Sequence, residues 1–216
     1  KELLEDAIEE TVRRGGAFLI PAFAVERTQE LLFELHDLIE HGRIPKIPVF
    51  LDSPLAIKVT AVYREYAEYL SPLAQRREPG ERHPLFEFPG LRKTLSTDES
   101  KAINRVPPPK VIIAGSGMSH GGRILHHEKR YLPDPNSMLL IVGYQARGSL
   151  GRLLLDGASQ VTILGEAVQV RARVRAIGGY SAHADQPQLL SWLRPLRFSA
   201  KRIFVVQGEE REANAL

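Results

Sequence analysis

The residues of this chain best suited to chemistry sit in three short, glycine-marked segments. The first reads Ala114-Gly115-Ser116-Gly117-Met118-Ser119-His120-Gly121-Gly122. Small side chains there let backbone N–H groups approach an anion, and a helix starting just beyond would add its positive end. The second reads Gly143-Tyr144-Gln145-Ala146-Arg147-Gly148-Ser149-Leu150-Gly151. Tyr144 offers a ring to a nucleobase, and Arg147 and Ser149 offer donors to a phosphate. The third reads Gly178-Gly179-Tyr180-Ser181-Ala182-His183-Ala184-Asp185. His183 comes just before a predicted helix that Asp185 is placed to cap, so the backbone would hold the imidazole ready as a general acid or a ligand. Each segment alone also reads as an ordinary tight turn, and none has dinucleotide or phosphate-loop spacing.

Other titratable groups are less clear. Asp52, in Leu51-Asp52-Ser53-Pro54-Leu55-Ala56, falls at a predicted strand end and is a polar-site candidate, although a helix-start or cap role is the simpler reading. His126 and His127 are adjacent on a predicted helix, about 100° apart, and cannot easily share one metal; surface or half-buried positions are simpler for both. His36, His41 and His83 have no partners at ligand spacing. No HxHxDH cluster occurs, so the three or more close ligands of a catalytic zinc are not visible in the spacing. Arg76, Arg77, Arg82, Arg92 and Lys93 make a locally basic stretch that Glu78, Glu81 and Glu87 dilute.

The elements that must position these groups alternate between helix and strand. Leu3 to Val12 has helical spacing with Gly15-Gly16 as a stop; Ala17 to Ala22 is a buried-strand run; Val25 to His41 is helical again; Ile47 to Leu51 is a strand. Ser53 caps a helix that opens on Pro54 and runs to about Leu70. Ser71 to Pro109 is rich in proline and charge and reads as a long excursion with one short helix near Leu91 to Leu95. Beyond it come a strand at Lys110 to Ala114, a helix at Gly121 to Tyr131, a strand at Ser137 to Tyr144 and a short helix at Ser149 to Leu155. Val161 to Leu164 and Ala167 to Ile177 read as a β-ribbon, Asp185 to Leu193 as a helix and Arg202 to Val206 as a last strand. This order predicts an α/β fold, a mainly parallel sheet with helices on both faces. Ligands of such sheets gather beyond the carboxyl ends of the strands, where the glycine-marked segments fall.

Composition narrows the classes. The 216 residues suffice for a sizeable core, and 43% hydrophobic with 25% charged residues is ordinary for a globular chain. A net charge of +3 is not that of a protein that coats DNA, so an anionic partner would be held by a local patch. With no cysteine there is neither a disulfide nor a thiolate metal site, and a reducing cytoplasm is the default compartment. No apolar run approaches the roughly 20 residues that span a bilayer, so no membrane partner is expected. The start at Lys1 and the stop after Leu216 read as a piece of something longer.

Taken together the segments are more specific than any one of them. Leu19-Ile20-Pro21-Ala22-Phe23-Ala24-Val25-Glu26-Arg27-Thr28-Gln29-Glu30-Leu31-Leu32, then Leu51 to Ala56, Ser116-Gly117-Met118, Gly121-Gly122-Arg123, Gly143-Tyr144-Gln145-Ala146 and Ser181-Ala182-His183-Ala184-Asp185 resemble, in this order, the β-CASP branch of the metallo-β-lactamase superfamily. The resemblance covers nearly the whole chain. It implies a β-CASP domain over residues 1–180, then an incomplete metallo-β-lactamase segment of αββα type over 181–216. It implies two zinc ions in the full-length protein, held mostly by residues outside this chain, and single-stranded RNA threading beneath a lid. His183 matches the family's motif B histidine, a group that helps protonate the leaving oxygen. Ser116, Gly117, Met118, Tyr144, Arg147, Ser149 and Ser181 match an RNA-facing surface. At Val206-Gln207-Gly208-Glu209 the chain departs from the family's Val-His-Gly-Glu: Gln207 takes the place of a zinc-binding histidine and is a poor ligand.

The expected function is RNA phosphodiester hydrolysis by the full-length protein, with the fragment alone inactive. A non-catalytic RNA-binding or scaffold relative is the rival that Gln207 motivates. A small-molecule metallohydrolase fits less well, because a small substrate needs no strand-guiding lid. Endo- against exonucleolytic cutting, the RNA target and the oligomeric state stay open, a homodimer being one arrangement the sequence allows.

Overall fold

A computed structural model describes residues 1–71, 84–180, 183–206 and 208–216. Ser181, Gln207, Arg76, Arg77, Arg82 and His83 lie outside the described residues. The chain divides into two compact units, Lys1–Tyr180 and Ser181–Leu216.

The first unit opens with helix α1 (Glu2–Arg14), stopped by Gly15 in a left-handed conformation, φ 70°. Strand β1 (Ala17–Pro21), helix α2 (Arg27–Glu40) and strand β2 (Val49–Asp52) follow. Helix α3 (Pro54–Glu65) starts as its sequence predicts: Pro54 takes the first turn and Ser53 Oγ accepts from Ala56 N at 3.3 Å. The helix ends five residues earlier than expected, and a 3-10 turn at Ala67–Tyr69 completes the run to Leu70.

The proline-rich excursion differs from its expectation. Leu91–Lys93 is strand β3, not a helix, and pairs in parallel with β2. The helix, α4, comes later at Thr97–Ala102, with a Ser96–Glu99 capping box. Strands β4 (Lys110–Ala114) and β5 (Met138–Ile141) and helices α5 (Ile124–Tyr131) and α6 (Leu150–Leu155) fall inside their expected spans. The ribbon is shorter than expected. β6 (Gln160–Ile163) and β7 (Glu166–Gln169) form an antiparallel pair, but the chain then leaves it, and β8 (Arg173–Ala176) joins the main sheet beside β5 in parallel.

The main sheet runs β3-β2-β4-β1-β5-β8, with every pairing parallel. Its central strands are mostly apolar because both faces are covered, the charged exceptions being Lys110 at the start of β4 and Asp52 at the end of β2. Phe18 and Ile20 of β1, Val49 and Leu51 of β2, and Val111 and Ile113 of β4 pack on one side against Leu4 and Ile8 of α1 and Leu31, Leu32 and Leu35 of α2. The residues between them, Ala17, Leu19, Phe50 and Ile112, pack on the other side against Tyr131 of α5, Leu154 of α6 and Val161, Ile163 and Val168 of the β6–β7 pair. Charged residues are also buried in this frame, Lys110 among them. Lys110, at the start of β4, donates from Nζ to the carbonyls of Ile103 (2.7 Å) and Val106 (2.6 Å), which close a 3-10 turn at Ile103–Arg105.

The second unit holds helix α7 (Gln186–Leu193), a 3-10 turn at Arg194–Leu196 and helix α8 (Glu210–Ala215). Asp185 and Gln188 form the capping box of α7, each side chain bonding the other's backbone N–H at 2.9 Å. Arg202–Val206, expected as a strand, has no strand pairing among the described residues. Ile203, Phe204 and Val206 are exposed, so the apolar run that suggested a strand is not buried in this unit. Among the described residues no helix is long and apolar enough to cross a membrane.

Candidate functional site

Because the sheet is all parallel, the segments after β1, β2, β4 and β5 emerge along one rim. Asp52 ends β2 there and is fully buried. Its Oδ1 accepts from Thr94 Oγ1 (2.7 Å) and Arg123 Nη1 (2.8 Å), and its Oδ2 from Ser100 Oγ (2.6 Å) and His127 Nε2 (2.7 Å). Burial by itself pushes this carboxyl pKa up, but the hydrogen bonds, led by that from His127, outweigh it and hold the group at about 2. Arg123 also donates to the carbonyls of Thr94 (3.0 Å) and Leu95 (2.8 Å). One carboxylate thus joins β2, the segment after β3, helix α4 and the entry to α5.

The cap expected of Asp52 belongs to Ser53 instead, and His127, expected at the surface or half-buried, is buried. His126 beside it is exposed. The partners of Asp52 lie 42 to 75 residues away in sequence, so spacing could not reveal them. A faint signal existed: an apolar run that ends in aspartate requires donors for that carboxylate.

The loops after β4 and β5 are fastened to each other. Gln145 is buried, and its Nε2 donates to Gly117 O (3.0 Å) and Gly143 O (3.1 Å). Gly151 N donates to Met118 O at 3.2 Å. The fit is tight: a Cβ on Gly151 would come within 1.8 Å of Gln145 Oε1, and one on Gly117 within 2.7 Å of Phe23 Cδ2. The structure therefore brings Ser116, Gly117 and Met118 together with the Tyr144–Gly151 segment. Ser116 Oγ accepts from His120 N at 3.2 Å, which closes its own loop. Ser149 caps α6, accepting from Arg152 N at 3.2 Å. Tyr144 and Arg147 are exposed.

Glu128 lies behind the first loop and went unnoticed in the sequence. It is fully buried, and Ser119 Oγ donates to its Oε1, while Oε2 finds no donor among the described residues. Burial pushes its pKa up to about 7, against the opposing pull of the Ser119 hydrogen bond.

His183 belongs to the second unit, two residues before the α7 cap, and is exposed. It opens onto a groove of about 790 Å³ lined by Leu189, Trp192, Phe204, Val206 and Ala213. Among the described residues no three His, Asp or Glu side chains converge as a metal-binding set, so these residues do not by themselves fit a zinc ion.

Residues 28–154 match the Beta-Casp domain, more than half of the chain. The chain belongs to the β-CASP family. Residues 167–216 match a second description, the Zn-dependent metallo-hydrolase RNA specificity domain. Among the relatives of this chain, Ribonuclease TTHA0252 of Thermus thermophilus is 45% identical over 217 residues, covering 100% of this chain and 48% of its own length. Transcription termination factor FttA of Thermococcus kodakarensis is 36% identical over 214 residues, covering 97% and 33%. An RNase J-like protein of Methanocaldococcus jannaschii is 33% identical over 213 residues, covering 99% and 48%. The chain thus spans a third to a half of the length of these relatives.

Proposed function

We propose that this chain is the RNA-binding lid, with part of the active site, of a ribonuclease that hydrolyses RNA phosphodiester bonds. The observation that carries the reading is the joining of the two glycine-marked loops through Gln145 and Gly117, with Tyr144 and Arg147 exposed beside the joint. Backbone N–H groups freed of side-chain bulk, a ring and a guanidinium are the parts needed to follow an extended polyanion. Ser116, Gly117, Met118, Tyr144, Arg147, Ser149 and Ser181 are its contact residues. His183 is the general acid at the leaving oxygen, a role suited to an imidazole fixed just before a helix. The relatives named as a ribonuclease and an RNase J-like protein support the substrate class. Zinc ions, which the family description names, would be held by ligands outside the described residues. The test is cleavage of end-labelled single-stranded RNA by the full-length protein and its His183→Ala variant. A rate lower by about 10²–10⁴-fold in the variant is expected, and equal rates would remove His183 from the reaction.

A second reading, a non-catalytic RNA-binding or scaffold subunit, is favoured by Gln207 alone, since glutamine replaces a ligand type suited to zinc. Zinc content of the purified full-length protein separates the two: stoichiometric metal with cleavage supports the enzyme, and RNA binding without either supports the scaffold.

A further inference from the structure

Phe23 and Tyr144 stand out from the other exposed apolar residues because each is carried on a backbone locked by buried side chains. Phe23 is 42% exposed and Tyr144 59% exposed. Behind Phe23, the buried Thr28 donates from Oγ1 to Phe23 O at 2.7 Å, and the buried Gln29 donates from Nε2 to Ala24 O at 3.1 Å and to Thr60 Oγ1 at 2.8 Å. Behind Tyr144, the buried Gln145 holds Gly143 O and Gly117 O. Two glutamine amides thus do the same work at the ends of β1 and β5. The two loops meet at Gly117, which packs against the Phe23 ring and whose carbonyl is held by Gln145. The Phe23 ring and the residue after Tyr144 thus both touch one glycine, so the two exposed rings stand on loops that are joined to each other.

We propose that Phe23 and Tyr144 are a pair of base-stacking surfaces for single-stranded RNA, carried on loops that meet at Gly117. The inference rests on the RNA reading above and adds to it Phe23 and the way the bases are held. A ring on a fixed backbone has only two side-chain torsions left to lose, so it grips a flat partner at small entropic cost. Stacking uses a face that every base has, so this grip is tolerant of sequence. Arg147, three residues beyond Tyr144, puts a phosphate donor within the same loop.

The test is equilibrium binding of the full-length protein to a fluorescein-labelled oligoribonucleotide and to the same strand carrying abasic sites, for wild type, Phe23→Ala, Phe23→Leu and Tyr144→Ala. Each variant should bind the base-bearing strand about 5- to 100-fold more weakly and the abasic strand unchanged. Unchanged affinity for the base-bearing strand overturns the proposal and leaves the rings as a protein contact. Equal weakening on both strands also overturns it, because the rings would then act by packing. A wild-type protein that binds no RNA sinks the underlying RNA reading instead. Should an alanine variant fail to fold, Phe23→Tyr and Tyr144→Phe serve in its place, and both must retain base-dependent binding.

Discussion

Asp52 Oδ2 accepts a 2.7 Å hydrogen bond from His127 Nε2 across 75 residues of sequence, and both side chains are buried. His127 Nδ1 has no partner among the described residues. Removing the carboxylate strands more: Arg123, Ser100, Thr94 and His127 all lose an acceptor.

Asp52→Ala should therefore destabilise the protein by about 3–5 kcal/mol, as when one member of a buried charged pair is deleted. Urea denaturation followed by circular dichroism reads this, and a loss below 1 kcal/mol would show that Asp52 is not a hub. The depressed pKa also has a pH signature. An acid held at about 2 when folded and near 3.8 when unfolded stabilises the fold above pH 3.8, and that contribution is lost as pH falls towards 2. Asp52→Asn should flatten stability over that window.

Glu128 has the opposite sign. Unfolded, it titrates near 4.5; folded, burial raises it to about 7. The folded state keeps its proton longer, so the contribution is full below pH 4.5 and disappears as pH rises through 7. Glu128→Gln keeps an acceptor for Ser119 and cannot ionise. The variant should match wild type at pH 4.5 and exceed it at pH 8 by about 1–3 kcal/mol. Parallel pH-stability curves would contradict this.

The bond between the two loops can be tested by a double-mutant cycle. Gly151→Ala drives a methyl into Gln145 Oε1 and should cost about 1–3 kcal/mol, the usual range for overpacking. In a Gln145→Ala background the same change should cost much less, because its obstacle is gone. Additive losses would mean that the strain lies elsewhere.

Tyr180 ends the first unit. Its hydroxyl donates to Glu34 Oε2, and the Arg27 guanidinium stands 5.4 Å from its ring centre. Burial first, then Glu34, pushes the phenol pKa far above its ordinary value. Tyr180→Phe keeps the ring and loses the anchor. It should cost about 1 kcal/mol globally and speed amide exchange at 177–180 more than elsewhere. Unchanged local exchange would show that the anchor is idle.

Much of this fold was legible because local and global signals agree. Gly15 stops α1, Ser53 and Pro54 start α3, and the apolar runs of β1, β4 and β5 lie where a doubly covered sheet requires them. Legibility failed where pairing overrides propensity. Leu91-Arg92-Lys93 has no strand pattern of its own and is a strand because β2 offers it an edge. Ala167 to Ile177 alternates like a single strand, yet its last residues find a different sheet. The Ser96–Glu99 box carries a helix-start pattern of its own, set in a stretch whose prolines argue against a helix. At the site, the loops and their glycines were readable, whereas Gln145, Glu128 and the donors around Asp52 were not, since each matters through a partner that only the fold supplies.

Lys110 makes this protein its own gauge. Its amine faces two carbonyls of the turn at Ile103–Arg105 at the foot of a central strand, so an acylating reagent can reach it only when that turn lifts or the sheet opens. Lysines on the surface would be modified at once, and Lys110 at the rate of that opening. Mass-spectrometric labelling of that one site would report how often this corner of the molecule opens, in a crude extract and without purification.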